Sequence, residues 1–326
     1  MANNTVVIIP TYNEVENLPL IVDRVLSTTS PVDVVIVDDN SPDGTGSKAD
    51  ELAAAHDEVH VVHRAGKEGL LAAYREGFNW ALEHDYDVIC QMDADGSHAP
   101  EELEMLLAEI DNGADLVIGS RYVEDGEVKD WPRERYLLSK AGNRYISLVL
   151  GDDIADMTAG YRAFRHELLE DLDLDSLSDK GYIFQAEIAH RALQAGYDVR
   201  EVPITFTDRT LGESKLDASF AGQSLAEVTK WAAAEKSELL GEGAKEASRF
   251  VRSELDNSSL PKWKREIEHA PEVIVNVIGE SAKLARYQLD KSGVRELPAK
   301  AARAADNFVG LIREGLRIAD YEKNHG

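Results

Sequence analysis

Residues 86–103 read YDVICQMDADGSHAPEEL, an apolar run from Tyr86 to Cys90 followed by the acidic pair Asp93 and Asp95. A short apolar run bounded by polar turn residues reads as a buried strand, so the pair sits where that strand ends. In extended chain, side chains two apart point to the same side, which lets both carboxylates face one ion. A hard divalent cation such as Mg²⁺ is held by one or two carboxylates, with substrate phosphates completing its shell. The alternative reading is a polar exit from a strand, where aspartate is common.

Moving outward, the same alternation recurs. Strand-like runs at 5–9, 33–37, 58–62, 87–92 and 115–119 alternate with helical patterns at about 14–27, 44–55, 67–84 and 100–111. This predicts an α/β fold of βαβ units around a mostly parallel, Rossmann-like sheet flanked by helices. Ligands on such sheets bind at the carboxyl ends of the strands. Thr11-Tyr12-Asn13-Glu14 follows the first strand, Asp38-Asp39-Asn40 the second and Asp93-Ala94-Asp95 the fourth, so three polar clusters can meet at one rim. Beyond 120 the pattern predicts a helix at 132–150, a strand near 160–165, a helix near 183–195 and one strand from Val199 to Thr207, then the loop Asp208 to Lys215.

Charge divides the 326-residue chain in two. Residues 1–235 carry 46 Asp+Glu against 19 Lys+Arg, and 236–326 carry 15 against 16, within a net charge of −26. The domains expected are therefore an α/β domain at 1–235 and a helical extension at 236–326. The acidic surface argues against nucleic-acid binding and is of the kind expected in high salt, where screening lengths shorten to about 3 Å at 1 M. One cysteine, Cys90, leaves neither a disulfide framework nor a cysteine metal site. MANNTVVIIP has no signal-peptide pattern and no apolar stretch is long enough to span a bilayer, so a cytoplasmic location is expected.

Together these clusters carry a family resemblance. VVIIPTYNEVENL at 6–18, VIVDDNSPDGT at 35–45, MDADGSHAPEEL at 92–103, GSRY at 119–122, the Arg135-to-Ser139 spacing, GYIFQAE at 181–187 and VPITFTDRTLGESK at 202–215 resemble the family 2 glycosyltransferases of GT-A fold. Within that family the chain is most similar to the dolichyl-phosphate (polyprenol-phosphate) mannosyltransferases. The resemblance implies inverting transfer of mannose from the nucleotide sugar GDP-mannose to a polyprenyl or dolichyl phosphate, with Mg²⁺ or Mn²⁺ as cofactor. It implies that Asp93 and Asp95 hold the metal, with Ser97 as a further ligand, and that Arg121, Arg135, Arg209, Lys215 and Ser139 hold the acceptor phosphate and the departing group. It further implies that Pro10, Tyr12, Glu14, Val37 and Asp39 line the nucleotide pocket and that Ala94 approaches the ribose.

An acceptor phosphate is already anionic near neutral pH, so the task is to manage charge and not to remove a proton. Arginine's planar fork suits that task, and Lys215 would act as a point charge. Each arginine also has a plain reading as half of a surface ion pair, Ser139 can back-bond within its helix, and Asp38 and Asp43 can cap turns. Arg64, Lys67 and Gly69 match a looser family pattern or simply open a helix, and His63 and His98 read as structural or solvent-facing. Where many relatives have D-x-T-S-G-F-R, this chain has Asp156 to Arg162 with Ala159 in the serine's place.

The tail is amphipathic at Trp263 to Leu284 and Ala301 to Leu316. It reads either as an anchor in the lipid interface or as a helical hairpin packed on the domain or on a second subunit; a membrane partner subunit is a further route to the lipid. Within the enzyme class, UDP-glucose or a UDP-N-acetylhexosamine is the alternative donor. Outside it, the alternative is a non-catalytic membrane scaffold, and a nicotinamide dehydrogenase is set aside because no G-x-G-x-x-G follows the first strand.

Overall fold

The computed structural model describes residues 4–28, 30–178, 183–208 and 228. The chain divides into two compact units, Met1–Trp131 with Ile154–Lys215, and Pro132–Asp153 with Leu216–Gly326. The boundary expected at 235/236, the loop from Arg209 to Lys215 and the amphipathic tail all lie outside the described residues.

The first unit runs β1 (Thr5–Thr11), α1 (Leu18–Leu26), β2 (Asp33–Asp38), α2 (Thr45–Ala55), β3 (Val59–His63), α3 (Leu70–Glu83), β4 (Val88–Gln91), α4 (Leu103–Asp111), β5 (Leu116–Ser120) and β6 (Glu127–Lys129). A helix in the second unit, α5 (Arg133–Leu150), interrupts it before β7 (Arg162–Arg165), α6 (His166–Asp171), α7 (Ile183–Ala195), β8 (Val199–Pro203) and β9 (Thr205–Thr207). The seven-stranded sheet has the order β3-β2-β1-β4-β7-β5-β8 and is parallel except for β7, which runs antiparallel to both β4 and β5.

Strands covered by helices on both faces read as continuous apolar runs, and Val6–Ile9 and Val34–Val37 are fully buried. Helix α3 packs close to β1 because residue 77 is glycine: a Cβ there would lie 2.5 Å from Ile8 Cγ2. Cys90 is buried in the core as expected, and burial pushes its thiol pKa up. Strand order reverses between β1 and β4, which places the crevice of this doubly wound sheet at their carboxyl ends.

Two boundaries depart from expectation for identifiable reasons. Helix α1 starts at Leu18 and not near 14, because Asn17 and Leu18 first close a turn on the Glu14 carbonyl and Pro19 then suits the opening turn of a helix. The strand expected over 199–207 is two strands. Ile204 donates its N–H to Ser120 of β5 while its carbonyl accepts Glu127 N–H of β6, so the chain leaves one sheet and enters a two-stranded parallel ribbon, β6 with β9. Among the described residues no helix is long and apolar enough to cross a membrane.

Candidate active site

The turns after β1 and β2 are bound to each other. Asp38 is buried, and its carboxylate accepts the Thr11 hydroxyl at 3.0 Å, the Ser41 hydroxyl at 2.6 Å and the Ser41 N–H at 3.1 Å. Asp43 accepts the Thr45 N–H and hydroxyl at 3.0 and 2.6 Å and the Val15 N–H at 3.3 Å. Burial of Asp43 pushes its pKa up, but these donors outweigh it and hold the carboxyl below its ordinary value. Both aspartates are therefore turn braces, as their plain readings had it.

Asp39, on the same turn, is also buried but pairs with Arg64, whose second arm reaches Glu68 at 2.8 Å. Burial raises the Asp39 pKa, with Arg64 acting against that shift. Lys67 sits 4.1 Å above the centre of the Tyr12 ring. Arg64, Lys67 and Gly69 thus open α3, as the plain reading of that segment had it, and also bring two cations onto the turns of Tyr12 and Asp39. Glu14 donates its backbone N–H to the Thr45 hydroxyl at 2.9 Å and its carboxylate accepts Asn17 Nδ2 at 2.8 Å, bracing the entry to α1. Pro10 is half-buried beside Val37 in register. Val37 itself is fully buried and faces α3 at Gly77, so its side chain belongs to the core and not to an open pocket; strand alternation puts it on the α3 face.

The acidic pair is presented differently from the extended geometry expected. Strand β4 ends at Gln91, and Ala94-Asp95 form a turn that Gly96 completes at φ +77°. The Asp93 carboxylate accepts the Tyr74 hydroxyl of α3 at 3.1 Å, and Asp95 accepts both the N–H (3.0 Å) and the hydroxyl of Ser97. Ser97 is buried and spends its hydroxyl on Asp95, and Ala94 is buried against the core. Among the described residues no three His, Cys, Asp or Glu groups are arranged to hold an ion by themselves. Two carboxylates with an adjacent hydroxyl form an all-oxygen donor set, which fits Mg²⁺ or Mn²⁺ whose remaining positions are filled by phosphate and water. A groove of about 340 Å³ opens beside this turn between α1 and β9, with Asn17, Asp95, Ser97 and Thr207 on its walls.

Arg121 follows β5 and is the most heavily held cation of the rim. Its guanidinium grips Asp156 through Nε at 2.7 Å and Nη2 at 2.6 Å, its own N–H reaches the same carboxylate at 3.0 Å, and Nη2 also meets Thr158 at 3.1 Å. The rings of Tyr122, Trp131 and Phe206 lie 5.1, 5.6 and 5.4 Å from its central carbon. Burial works against the charge, but Asp156 more than offsets it and the pKa is raised. Glu201 of β8 supports this pair by accepting the N–H groups of Ala155 and Asp156 at 2.7 and 2.9 Å. Arg162, fully buried, donates to the carbonyls of Met157, Ala159 and Gln185, which fixes the turn carrying Asp156; burial lowers its pKa to about 9, so it stays charged at neutral pH.

The ion pair of Arg121 is therefore buried, unlike the surface pair of its plain reading. Arg135 and Ser139 lie four residues apart on α5 of the second unit, hence on one helical face, and the Ser139 carbonyl accepts Asn143 Nδ2 at 3.1 Å. Three contributors were not visible as such in the sequence: Tyr74, which reads as one more apolar position of α3; Asp156, which reads only as the start of a variant motif; and Glu201, which sits in a strand pattern.

The family description "glycosyl transferase family 2" matches residues 6–173. A polyprenol monophosphomannose synthase of Mycolicibacterium smegmatis is 56% identical over 228 residues, which are 70% of this chain and 86% of that protein. An undecaprenyl-phosphate mannosyltransferase of Micrococcus luteus is 49% identical over 233 residues, 72% of this chain and 96% of that protein. The fold is shared with a glucosyl-3-phosphoglycerate synthase of Mycobacterium tuberculosis, at a TM-score of 0.54 and 17% identity over 71% of this chain and 78% of that one. The chain belongs to glycosyl transferase family 2.

Proposed function

We propose that this protein transfers a hexose, mannose in the favoured case, from GDP-mannose to a polyprenyl or dolichyl phosphate in a metal-dependent, inverting reaction. The observation that carries the reading is the identity of 56% to a polyprenol monophosphomannose synthase, spread over 86% of that protein. The rim of the first unit supports it with an acidic turn after β4, Tyr12 and Asp39 on the turns after β1 and β2, and a rigidly held arginine after β5.

In this reading Tyr12 and Asp39 receive the nucleoside, with Lys67 and Arg64 beside them. Asp93 and Asp95 hold Mg²⁺ or Mn²⁺, with Ser97 bracing Asp95, and the bound cation supplies Lewis-acid neutralisation of the departing diphosphate. Arg121 orients the acceptor phosphate at the anomeric carbon. Its bonds to Asp156 are made before substrate arrives, so little rotamer freedom is lost on binding. The family resemblance assigns further phosphate contacts to Arg135, Ser139, Arg209 and Lys215. No general base is assigned, because the acceptor oxygen is already anionic. The lipid acceptor places the reaction at a membrane surface, its cytoplasmic face in this reading, reached through the C-terminal segment or a membrane partner subunit.

The test is transfer of label from GDP-mannose, UDP-glucose and UDP-N-acetylglucosamine to polyprenyl phosphate in mixed micelles, with Mg²⁺, Mn²⁺ or EDTA. The expected result is lipid-linked mannose formed with metal and absent with EDTA. Label arriving only from a UDP-sugar would overturn the donor, and no transfer from any donor would overturn the enzymatic reading.

A further inference from the structure

His98 is almost fully buried five residues after Asp93. Its Nδ1 accepts the backbone N–H of Asp93 at 3.2 Å, which puts the ring proton on Nε2. The ring stacks on Tyr161, with centroids 5.0 Å apart and planes at 21°, and meets Phe206 of β9 edge-on at 5.5 Å. Gly160 lies beside both groups: a Cβ there would be in ordinary contact, 3.5 Å from His98 Cε1 and 3.8 Å from Asp93 Oδ2. Tyr161 carries its hydroxyl to the carbonyl of Ala99 at 3.3 Å, and Thr207 donates its N–H to the carbonyl of Ser97 at 3.2 Å. Phe206 in turn lies against Arg121.

One imidazole therefore touches three separate pieces of the rim: the acidic turn through its nitrogen, the Asp156–Arg162 turn through Tyr161, and the ribbon strand β9 through Phe206. An unpaired N–H at Asp93 would be costly at this depth, and the turn would relax to satisfy it.

We propose that His98 is a positioning residue for the acidic turn: by accepting the Asp93 N–H it sets the spacing of Asp93 and Asp95, and through Phe206 it ties that turn to the strand packed on Arg121. The inference rests on the reading of Asp93 and Asp95 as the metal turn. A partner of a metal ligand typically changes metal affinity about 10–100-fold when removed.

The experiment separates the hydrogen bond from the packing. His98→Phe keeps the ring between Tyr161 and Phe206 and removes the acceptor, while His98→Asn keeps an acceptor near Nδ1 and removes the ring. Mn²⁺ affinity of the full-length protein with GDP, read by electron paramagnetic resonance, is set beside thermal unfolding, with Asp95→Ala as reference. The expected result is Mn²⁺ affinity about 10–100-fold weaker in His98→Phe and within about threefold of wild type in His98→Asn, although the asparagine variant melts lower. Should His98→Phe fail to fold, His98→Gln, whose amide reaches the Nε2 side instead, is expected to behave as the phenylalanine variant in metal affinity. Unchanged affinity in His98→Phe or His98→Gln with binding lost in Asp95→Ala would overturn this inference alone. Affinity that follows melting temperature across the variants would overturn it too, in favour of a purely structural role. Wild-type protein that fails to bind Mn²⁺ would overturn the metal reading and the inference with it.

Discussion

The two acidic turns of the rim, Asp38-Asp39-Asn40 after β2 and Asp93-Ala94-Asp95 after β4, look alike in sequence and are built for different work. Asp38 is wrapped by three donors from Thr11 and Ser41 and holds the first two turns together. Asp39 faces a guanidinium. Asp93 accepts the Tyr74 hydroxyl, and Asp95 accepts the hydroxyl and N–H of Ser97. Hydroxyl and amide donors orient a carboxylate without themselves neutralising it, whereas a guanidinium does both. In the proposed reading, identical residue types at equivalent strand ends divide into brace, nucleoside contact and cation site.

The sharpest way to strain this contrast is to remove a carboxylate whose partner is a buried cation. Asp156→Ala leaves Arg121 buried and unpaired, and is expected to cost about 3–5 kcal/mol in urea unfolding; a loss under about 1 kcal/mol would mean that Arg121 finds another partner. Asp95→Ala is expected to lower metal-dependent transfer at least about 100-fold while unfolding shifts by less than about 1 kcal/mol, since its bonds to Ser97 span only two residues of one turn. Asp38→Ala should reverse that signature: about 1–3 kcal/mol of stability lost with the unmade bonds of Thr11 and Ser41, and near-normal metal affinity in the folded fraction by Mn²⁺ titration.

The smallest effect belongs to Asp43→Ala, about 1 kcal/mol for a lost turn brace. Its pH dependence has a definite sign. The folded pKa lies below the unfolded one, so the contribution is fully present above the ordinary carboxylate range and is lost as pH falls through the depressed value. Unfolding free energies of wild type and variant should therefore converge as the pH drops below the ordinary carboxylate range, and a gap that widens on acidification would contradict the assignment.

Much of this was legible in the sequence, and the exceptions have physical causes. The alternation of apolar runs and helical periods located β1 to β5 and α1 to α4, because a buried parallel sheet must be apolar on both faces. The rim clusters at Thr11 to Glu14, Asp38 to Asn40 and Asp93 to Asp95 converged because parallel strands end on the same side. The split at Ile204 was hidden, since a residue that donates to one strand and accepts from another looks like continuous strand. Val37 fell into the core because a pocket assignment carries a position and not the direction of its side chain. The partners Tyr74, Asp156 and Glu201 escaped for a related reason: a second layer of hydrogen bonds is set by three-dimensional proximity across 19 residues for Tyr74 and Asp93 and 35 for Arg121 and Asp156, with no local pattern to mark it.

The division of labour between the two turns is tested most directly by calorimetric titration of GDP into wild-type protein, Asp39→Ala and Asp95→Ala, each with Mn²⁺ and with EDTA. The account predicts that Mn²⁺ strengthens GDP binding in wild type and in Asp39→Ala, whose affinity is lower under both conditions, and that the strengthening disappears in Asp95→Ala. Strengthening by Mn²⁺ that survives Asp95→Ala, or vanishes in Asp39→Ala instead, would contradict it.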